Sequence, residues 1–433
     1  MMILSIALSI LAGLAYAKIC TDITVPVNIN ARQGVFDVPA LRSNIDASTF
    51  ALNFTSIKFN FTDVALTGYQ TVTGPYNISA QFCRPDIMDK TYWDIEFNNH
   101  GYSYVDRAIA KGFCTVNIDR FGIGNSSHGD PLNLVQAPAE VSATYEITKM
   151  LRAGTFPTVP HKFQKVVHVG HSFGSIQTFL LSAQHPETTD GIVLTGWSAN
   201  GTWLGQTIAG WNLHLARLNQ PLRFGGTIAV DACRASPGSQ GTNNSSSDAT
   251  ALIEQALATV GINLNRQEAW EETATTELGD ILNGINATSG SAPQDLPTGY
   301  LTWADWTSNQ YAFLYPPYYD LSLALFAERT KQPVTLGELF TLANGAPATT
   351  SFSGPVMVLT GREDTIFCGG DCLATGNLGG NIPKMAQPMF PNASVFEAYI
   401  QPNTGHGINF HYNATGAYDV INDFFIENGL GSS

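Results

Sequence analysis

A chain of 433 residues, 44% hydrophobic and only 13% charged, has enough apolar material to bury a large core, which excludes a disordered or fibrous protein. Its formal net charge of −14 excludes nucleic acid and anionic membrane surfaces as partners held by charge, since both repel it at neutral pH.

Residues 1–17 (MMILSIALSILAGLAYA) are apolar and end in Ala15-Tyr16-Ala17, the small-x-small pattern of a signal-peptidase site. The expected mature protein starts at Lys18 and is secreted and soluble. The run is short for a membrane span, and the polar end at 431–433 lacks the hydrophobic tail of a lipid-anchor signal, so no stable membrane anchor is expected. About ten N-x-S/T sequons, Asn53, Asn60, Asn77, Asn200, Asn392 and Asn413 among them, fit a glycosylated secretory protein. The six cysteines are even in number. Cys368-Gly-Gly-Asp-Cys372 can close a small loop, and Cys20 with Cys83 can tie the N-terminus to the next strands. Cys114, inside the apolar run GFCTVNID, reads as a buried free thiol. No His or second Cys pair stands at zinc-ligand spacing, so no metal is expected, and the serine chemistry read below needs no organic cofactor.

Alternating patterns at 20–28, 53–61 and 76–83 predict an antiparallel entry to a sheet. Helix and strand patterns then take turns: a helix at 102–111, a strand at 112–118, a helix at 137–153 ended by Gly154, and a strand at 166–169. Strands at 191–195, 355–359 and 395–400 and a final helix at 418–427 complete the rhythm. It is a βαβ order, which predicts an α/β fold with a mostly parallel sheet and helices on both faces. Residues 199–353 break it. They hold a Ser/Asn-rich stretch, helical patterns at 249–260 and 267–282, and an aromatic cluster from Trp303 to Tyr319, and they read as a large, mainly helical lid inserted in a core of 18–198 and 354–433. The aromatics either line an apolar substrate pocket or form the lid's own core.

The chemistry centres on Val166-Val-His-Val-Gly170-His171-Ser172-Phe173-Gly174. G-x-S-x-G alone is a weak pattern in a glycine-rich chain, but here an apolar strand precedes it and a helical pattern follows, so Ser172 stands at the apex of a strand–turn–helix. Side chains at Gly170 and Gly174 are expected to collide where strand and helix cross. A serine hydroxyl needs a base, and the base needs a carboxylate to hold its tautomer. Asp364 lies just past the strand PVMVLTG, where an open parallel sheet presents its active residues, with Glu363 and Asp371 as alternatives. His406 sits between glycines in a loop after the last strand, with His411 as its competitor, while His168 and His171 read as structural.

The segments DRFGIGNSSHGDP (119–131), KVVHVGHSFGS (165–175), DGIVLTGWS (190–198), GPVMVLTGREDTIFCGGDC (354–372) and GHGINFHYNA, around His406, resemble those of secreted fungal α/β-hydrolases of the serine esterase and lipase-like superfamily. The resemblance runs from about Cys20 to the C-terminus and implies Ser172, Asp364 and His406 as triad, with the Phe173 N–H as an oxyanion donor. One departure stands out. A strand ending in His-Gly normally precedes the first core helix and brings a second oxyanion donor, yet no apolar strand lies between Cys83 and Thr91. Either the third core strand is missing, or Trp93, Ile95 and Phe97 alternate as a substitute ending at His100-Gly101, with the Gly101 N–H as the second donor. The expected function is hydrolysis of a small-molecule ester with an apolar portion through an acyl-enzyme. The alternatives are a catalytically impaired relative or binding module, and cofactor-free peroxidase or lactonase chemistry on the same triad.

Overall fold

The computed structural model describes residues 18–85, 93–95, 97–98, 101–226, 294–342, 347–376 and 379–431. The apolar segment 1–17, His100 and the helices expected at 249–260 and 267–282 lie outside the described residues.

In chain order the main elements are β1 (Lys18–Phe36), α1 (Asn44–Phe54), α2 (Phe61–Ala65), β2 (Leu66–Pro85), α3 (Tyr104–Ala110), β3 (Thr115–Ile118), α4 (Ala137–Ala153), β4 (Val167–His171), α5 (Phe173–Gln184) and β5 (Gly191–Thr195). The insertion follows with α6 (Leu204–Trp211), β6 (His214–Leu215), α7 (Ala216–Asn219), α8 (Pro221–Phe224), β7 (Tyr300–Thr302), α9 (Trp306–Phe313), α10 (Leu321–Thr330), β8 (Val334–Thr335) and α11 (Leu336–Thr341). The core resumes with β9 (Val356–Gly361), α12 (Thr365–Cys368), β10 (Phe396–Gln401) and α13 (Ala414–Glu427).

β1 and β2 form a long antiparallel pair, with Cys20 opposite Cys83 and joined to it as a disulfide, and β3 adds antiparallel to β2. Ile23, Val25, Val27, Ile29 and Ala31 alternate with exposed residues along β1 and bury against Ala139, Ala143, Ile147 and Leu151 of α4, as a strand with one wet face should. A second sheet, in the order β10-β9-β5-β4, is parallel throughout. β5 is buried at all five positions, so its sequence GIVLT is continuous rather than alternating. Its faces divide cleanly. Val193 joins Met357 and Leu359 against Tyr418, Ile421 and Phe424 of α13, while Ile192 and Leu194 join Val356 and Val358 against Phe179 of α5. Helices thus cover both faces of the parallel sheet.

The two sheets end facing a gap in the strand order: β3 closes one, β4 closes the other, and no strand among the described residues joins them. Residues 93–95 and 97–98, the described part of the expected substitute strand, form no named strand there. Trp93 meets the Tyr104 ring edge-on at 5.1 Å, and Phe97 packs on Tyr102 and Phe326, so these side chains serve the α3–α13 layer. α4 spans the gap, packing on β1 through its apolar stripe and reaching β4 through Thr148 Oγ1 and His168 Nε2, 3.0 Å apart. On β3, Thr115 Oγ1 and Asn117 Nδ2 are buried with no hydrogen-bond partner among the described residues.

Two expectations need correction, and a third gains detail. The stretch 53–61 is the end of α1 and a loop, because Ser43 caps the helix start by accepting from Asp46 N–H and Ala47, Phe50 and Ala51 give it a buried stripe. Cys114 is unpaired as expected but exposed, since β3 starts one residue later. The insertion carries a small antiparallel sheet, β6-β7-β8, beside its helices, and Leu213, Leu301 and Phe340 share one core with Phe36 and Phe50 from the β1–β2 excursion.

Candidate active site

β4 runs straight into α5 through Ser172, whose φ of 52° and ψ of −114° place it in a strained backbone region that a non-glycine residue enters only when its surroundings hold it there. The Ser172 N–H donates to Thr195 O at 2.9 Å, which ties the turn to β5. A Cβ on Gly170 would lie 2.3 Å from the Gly174 carbonyl oxygen, so that glycine is required by the strand–helix crossing. Gly174 is different: a Cβ there meets nothing within 4 Å, and the expected collision at that position does not arise. The Phe173 N–H opens α5 and has no hydrogen-bond partner among the described residues, the usual state of a helix's first donor.

Asp364 and His406 are brought together. Asp364 Oδ2 lies 2.9 Å from His406 Nδ1 and accepts from Thr360 Oγ1 at 2.6 Å, while Oδ1 accepts the Ile366 and Phe367 N–H groups at 2.8 and 2.9 Å as the cap of α12. Both side chains are fully buried. Burial alone would raise the Asp364 pKa, but His406, Thr360 and the Phe367 N–H outweigh it and hold the carboxyl below its ordinary value, so it is ionised at neutral pH. The other candidates take supporting places. Glu363 accepts the Thr404 N–H at 3.0 Å, and Asp371 stands 3.9 Å from Arg362. His411 donates from Nδ1 to Gly407 O, and its Nε2 accepts the Tyr315 and Gly405 N–H groups, which fixes the loop carrying His406.

His406 packs against Phe313 and Phe367, with its ring 4.9 Å from that of His171. Its Nε2 is buried with no hydrogen-bond partner among the described residues. Phe313 and Phe367 also line a cleft of about 180 Å³ whose wall includes Ser172, Phe173, Trp303 and Arg120. Ser172 lines the cleft, and the His–Asp pair lies behind Phe313 and Phe367 of its wall, with no direct Ser–His hydrogen bond among the described residues, a state often seen before substrate binds. Of the aromatic cluster, Trp303 and Phe313 face the cleft, whereas Tyr315 stacks on Tyr318 and Tyr319 meets His411. The Gly101 N–H donates to Asn98 O at 3.1 Å within a turn and is not directed at Ser172. The nearest grouping of metal-type ligands among the described residues, Cys20, Cys83 and Asp94, has both sulfurs in a disulfide and offers no thiolate.

His168 and His411 are held neutral by burial, each with its pKa lowered to about 4. The unfolded chain binds these protons near pH 6.5, so stability is full above that value and falls as pH drops towards 4, by on the order of 3 kcal/mol per histidine. Urea unfolding at pH 7 and pH 4.5 should show this loss, and His168→Gln should make the difference between the two pH values smaller.

Asp364 after β9, His406 after β10 and Ser172 after β4 all stand past the carboxyl ends of strands of the parallel sheet. The fold is an α/β-hydrolase fold. No protein-family model matches the chain, and no curated protein matches it. Among solved structures it is similar to epoxide hydrolase A from Mycobacterium thermoresistibile (12% identity, TM-score 0.39, covering 81% of this chain and 95% of that one). It is also similar to a thermophilic esterase from Thermogutta terrifontis (14%, 0.38, 82% and 94%) and to an α/β-hydrolase enzyme from a Medee basin deep-sea metagenome library (15%, 0.40, 81% and 94%).

Proposed function

We propose that the protein is a secreted serine hydrolase that cleaves carboxylic esters through an acyl-enzyme on Ser172. The observation that carries this reading is the fully buried Asp364–His406 pair, packed behind Phe313 and Phe367 of the cleft that Ser172 lines from its strained turn. His406 Nε2 takes the Ser172 hydroxyl proton as Oγ bonds to the ester carbonyl carbon. Asp364 keeps the proton on Nδ1 and stabilises the imidazolium. The Phe173 N–H faces the developing oxyanion, the alcohol leaves with the proton from His406, and water repeats the sequence to release the acid. The mostly apolar cleft wall favours an ester with an apolar portion, and its modest volume favours a short one.

Initial rates on p-nitrophenyl esters of rising chain length test this. Turnover should peak at short acyl chains, fall towards palmitate, and vanish in Ser172→Ala. Equal rates for parent and Ser172→Ala would refute it.

A second reading, a catalytically impaired relative or binding module, is favoured by the absence of a strand between β3 and β4 among the described residues and by the engaged Gly101 N–H. It expects a folded protein that binds apolar esters without turning them over.

A further inference from the structure

Arg120 follows β3 and reaches the cleft beside Ser172 and Phe173. Its guanidinium carbon lies 5.1 Å from the centre of the Phe173 ring, on the residue whose backbone N–H opens α5. The side chain is gripped from behind: Nη1 bonds to Glu338 and, at 3.1 Å, to Glu140 Oε2, and both carboxylates are buried. Glu338 is itself fixed by a capping box, its Oε2 accepting the Thr335 N–H at 2.6 Å, and Glu140 Oε2 also accepts from Gln177 Nε2. The grip therefore comes from α4 in the core and α11 in the insertion. Arg120 Nε and Nη2 have no hydrogen-bond partner among the described residues, and the side chain keeps 27% exposure at the cleft.

We infer that Arg120 is a catalytic residue of the proposed esterase, its free guanidinium edge supplying the second hydrogen-bond donor to the oxyanion. The inference rests on the reading of Ser172 as nucleophile. An oxyanion needs donors that are in place before the reaction and cost no reorganisation, and a clamped guanidinium meets that need. The two carboxylates also explain why the group acts in the transition state more than in the ground state. Burial and the neighbouring Glu338 raise the Glu140 pKa well above its ordinary value, and both carboxyl groups engage Nη1, on one side of the guanidinium. They offset the pull of the cation on a resident anion, while the Nε–Nη2 edge still offers N–H groups to a carbonyl oxygen as charge gathers there.

Removing the cation alone would strand buried carboxylates and threaten the fold. Two variants avoid this: Arg120→Lys, which keeps the charge but loses the planar fork, and Arg120→Gln combined with Glu140→Gln and Glu338→Gln, which leaves no buried carboxylate without its cation. With p-nitrophenyl butyrate, kcat should fall by about 100-fold in both while KM changes less than threefold. The Ki of a trifluoromethyl ketone, whose adduct on Ser172 carries an oxyanion, should rise by the same factor. A merely structural role predicts that KM and thermal midpoint move together and that the ketone loses no more affinity than substrate does. Folded variants with kcat within threefold of the parent, beside an inactive Ser172→Ala, would overturn the role of Arg120 and leave the nucleophile standing. Activity that survives in Ser172→Ala would overturn the underlying reading instead.

Discussion

Asp364→Asn should fold like the parent and lose about four orders of magnitude in kcat. The amide can keep the cap of α12, because Oδ1 still accepts the Ile366 and Phe367 N–H groups. The change falls on the other atom. Oδ2 accepts from His406 Nδ1, and an NH₂ in its place sets donor against donor, so the imidazole turns to the tautomer with its proton on Nε2. That nitrogen then cannot take a proton from Ser172. The Asp364–His406 contact is itself buried, with both side chains fully covered, so solvent does not repair the mismatch there. Steady-state kinetics with a far-ultraviolet circular dichroism melt check it. A folded Asn variant within tenfold of the parent would show that Asp364 does not orient the base.

Gly361→Ala should damage both fold and activity. Gly361 ends β9, and the loop bearing His406 crosses directly over it: a Cβ there would lie 2.1 Å from Thr404 O and 2.2 Å from Gly405 O. The obstacle is backbone, which has no rotamer to escape into. The loop is also tied to the same turn by the Glu363 N–H on Thr404 O and the Thr404 N–H on Glu363. A methyl group must therefore push the whole loop, at a cost of about 3 kcal/mol, and a displacement of about 1 Å is enough to cost roughly 100-fold in rate. Gly174→Ala is the control, since the space there is open, and its stability should stay within about 1 kcal/mol of the parent. If Gly361→Ala melts and turns over like the parent, the loop is not held where its hydrogen bonds place it.

What could be read from the sequence follows from which signals are local. α4 and its Gly154 stop, and β5, match their expected bounds to the residue, because periodicity and a left-handed cap are carried by neighbours in sequence. The positions of Ser172, Asp364 and His406, the proposed triad, just past strands were legible for the same reason: each lies near a strand end marked by glycine. Arg120 carries no such local mark. It lies in the quoted segment DRFGIGNSSHGDP, but its meaning depends on Glu140 and Glu338, 20 and 218 residues away, and no local pattern encodes that clamp. The stretch 53–61 misled because Asn53-Phe54-Thr55 and Asn60-Phe61-Thr62 alternate like a strand while the Ser43 cap upstream decides for a helix. The break between β3 and β4 among the described residues was legible as a missing apolar run after Cys83. The use of Trp93 and Phe97 as packing for α3 was not, since alternation alone does not say which layer a side chain joins.

The most direct test of the serine hydrolase reading is intact-mass measurement after exposure of the purified, folded chain to a fluorophosphonate, followed by peptide mapping. One adduct is expected, on Ser172 in the peptide containing Val169-Gly170-His171-Ser172-Phe173, absent from Ser172→Ala and formed at least 100-fold more slowly in His406→Gln. A monodisperse, folded protein that resists the reagent, or that carries the adduct on another residue, would contradict the assignment of Ser172 as the nucleophile.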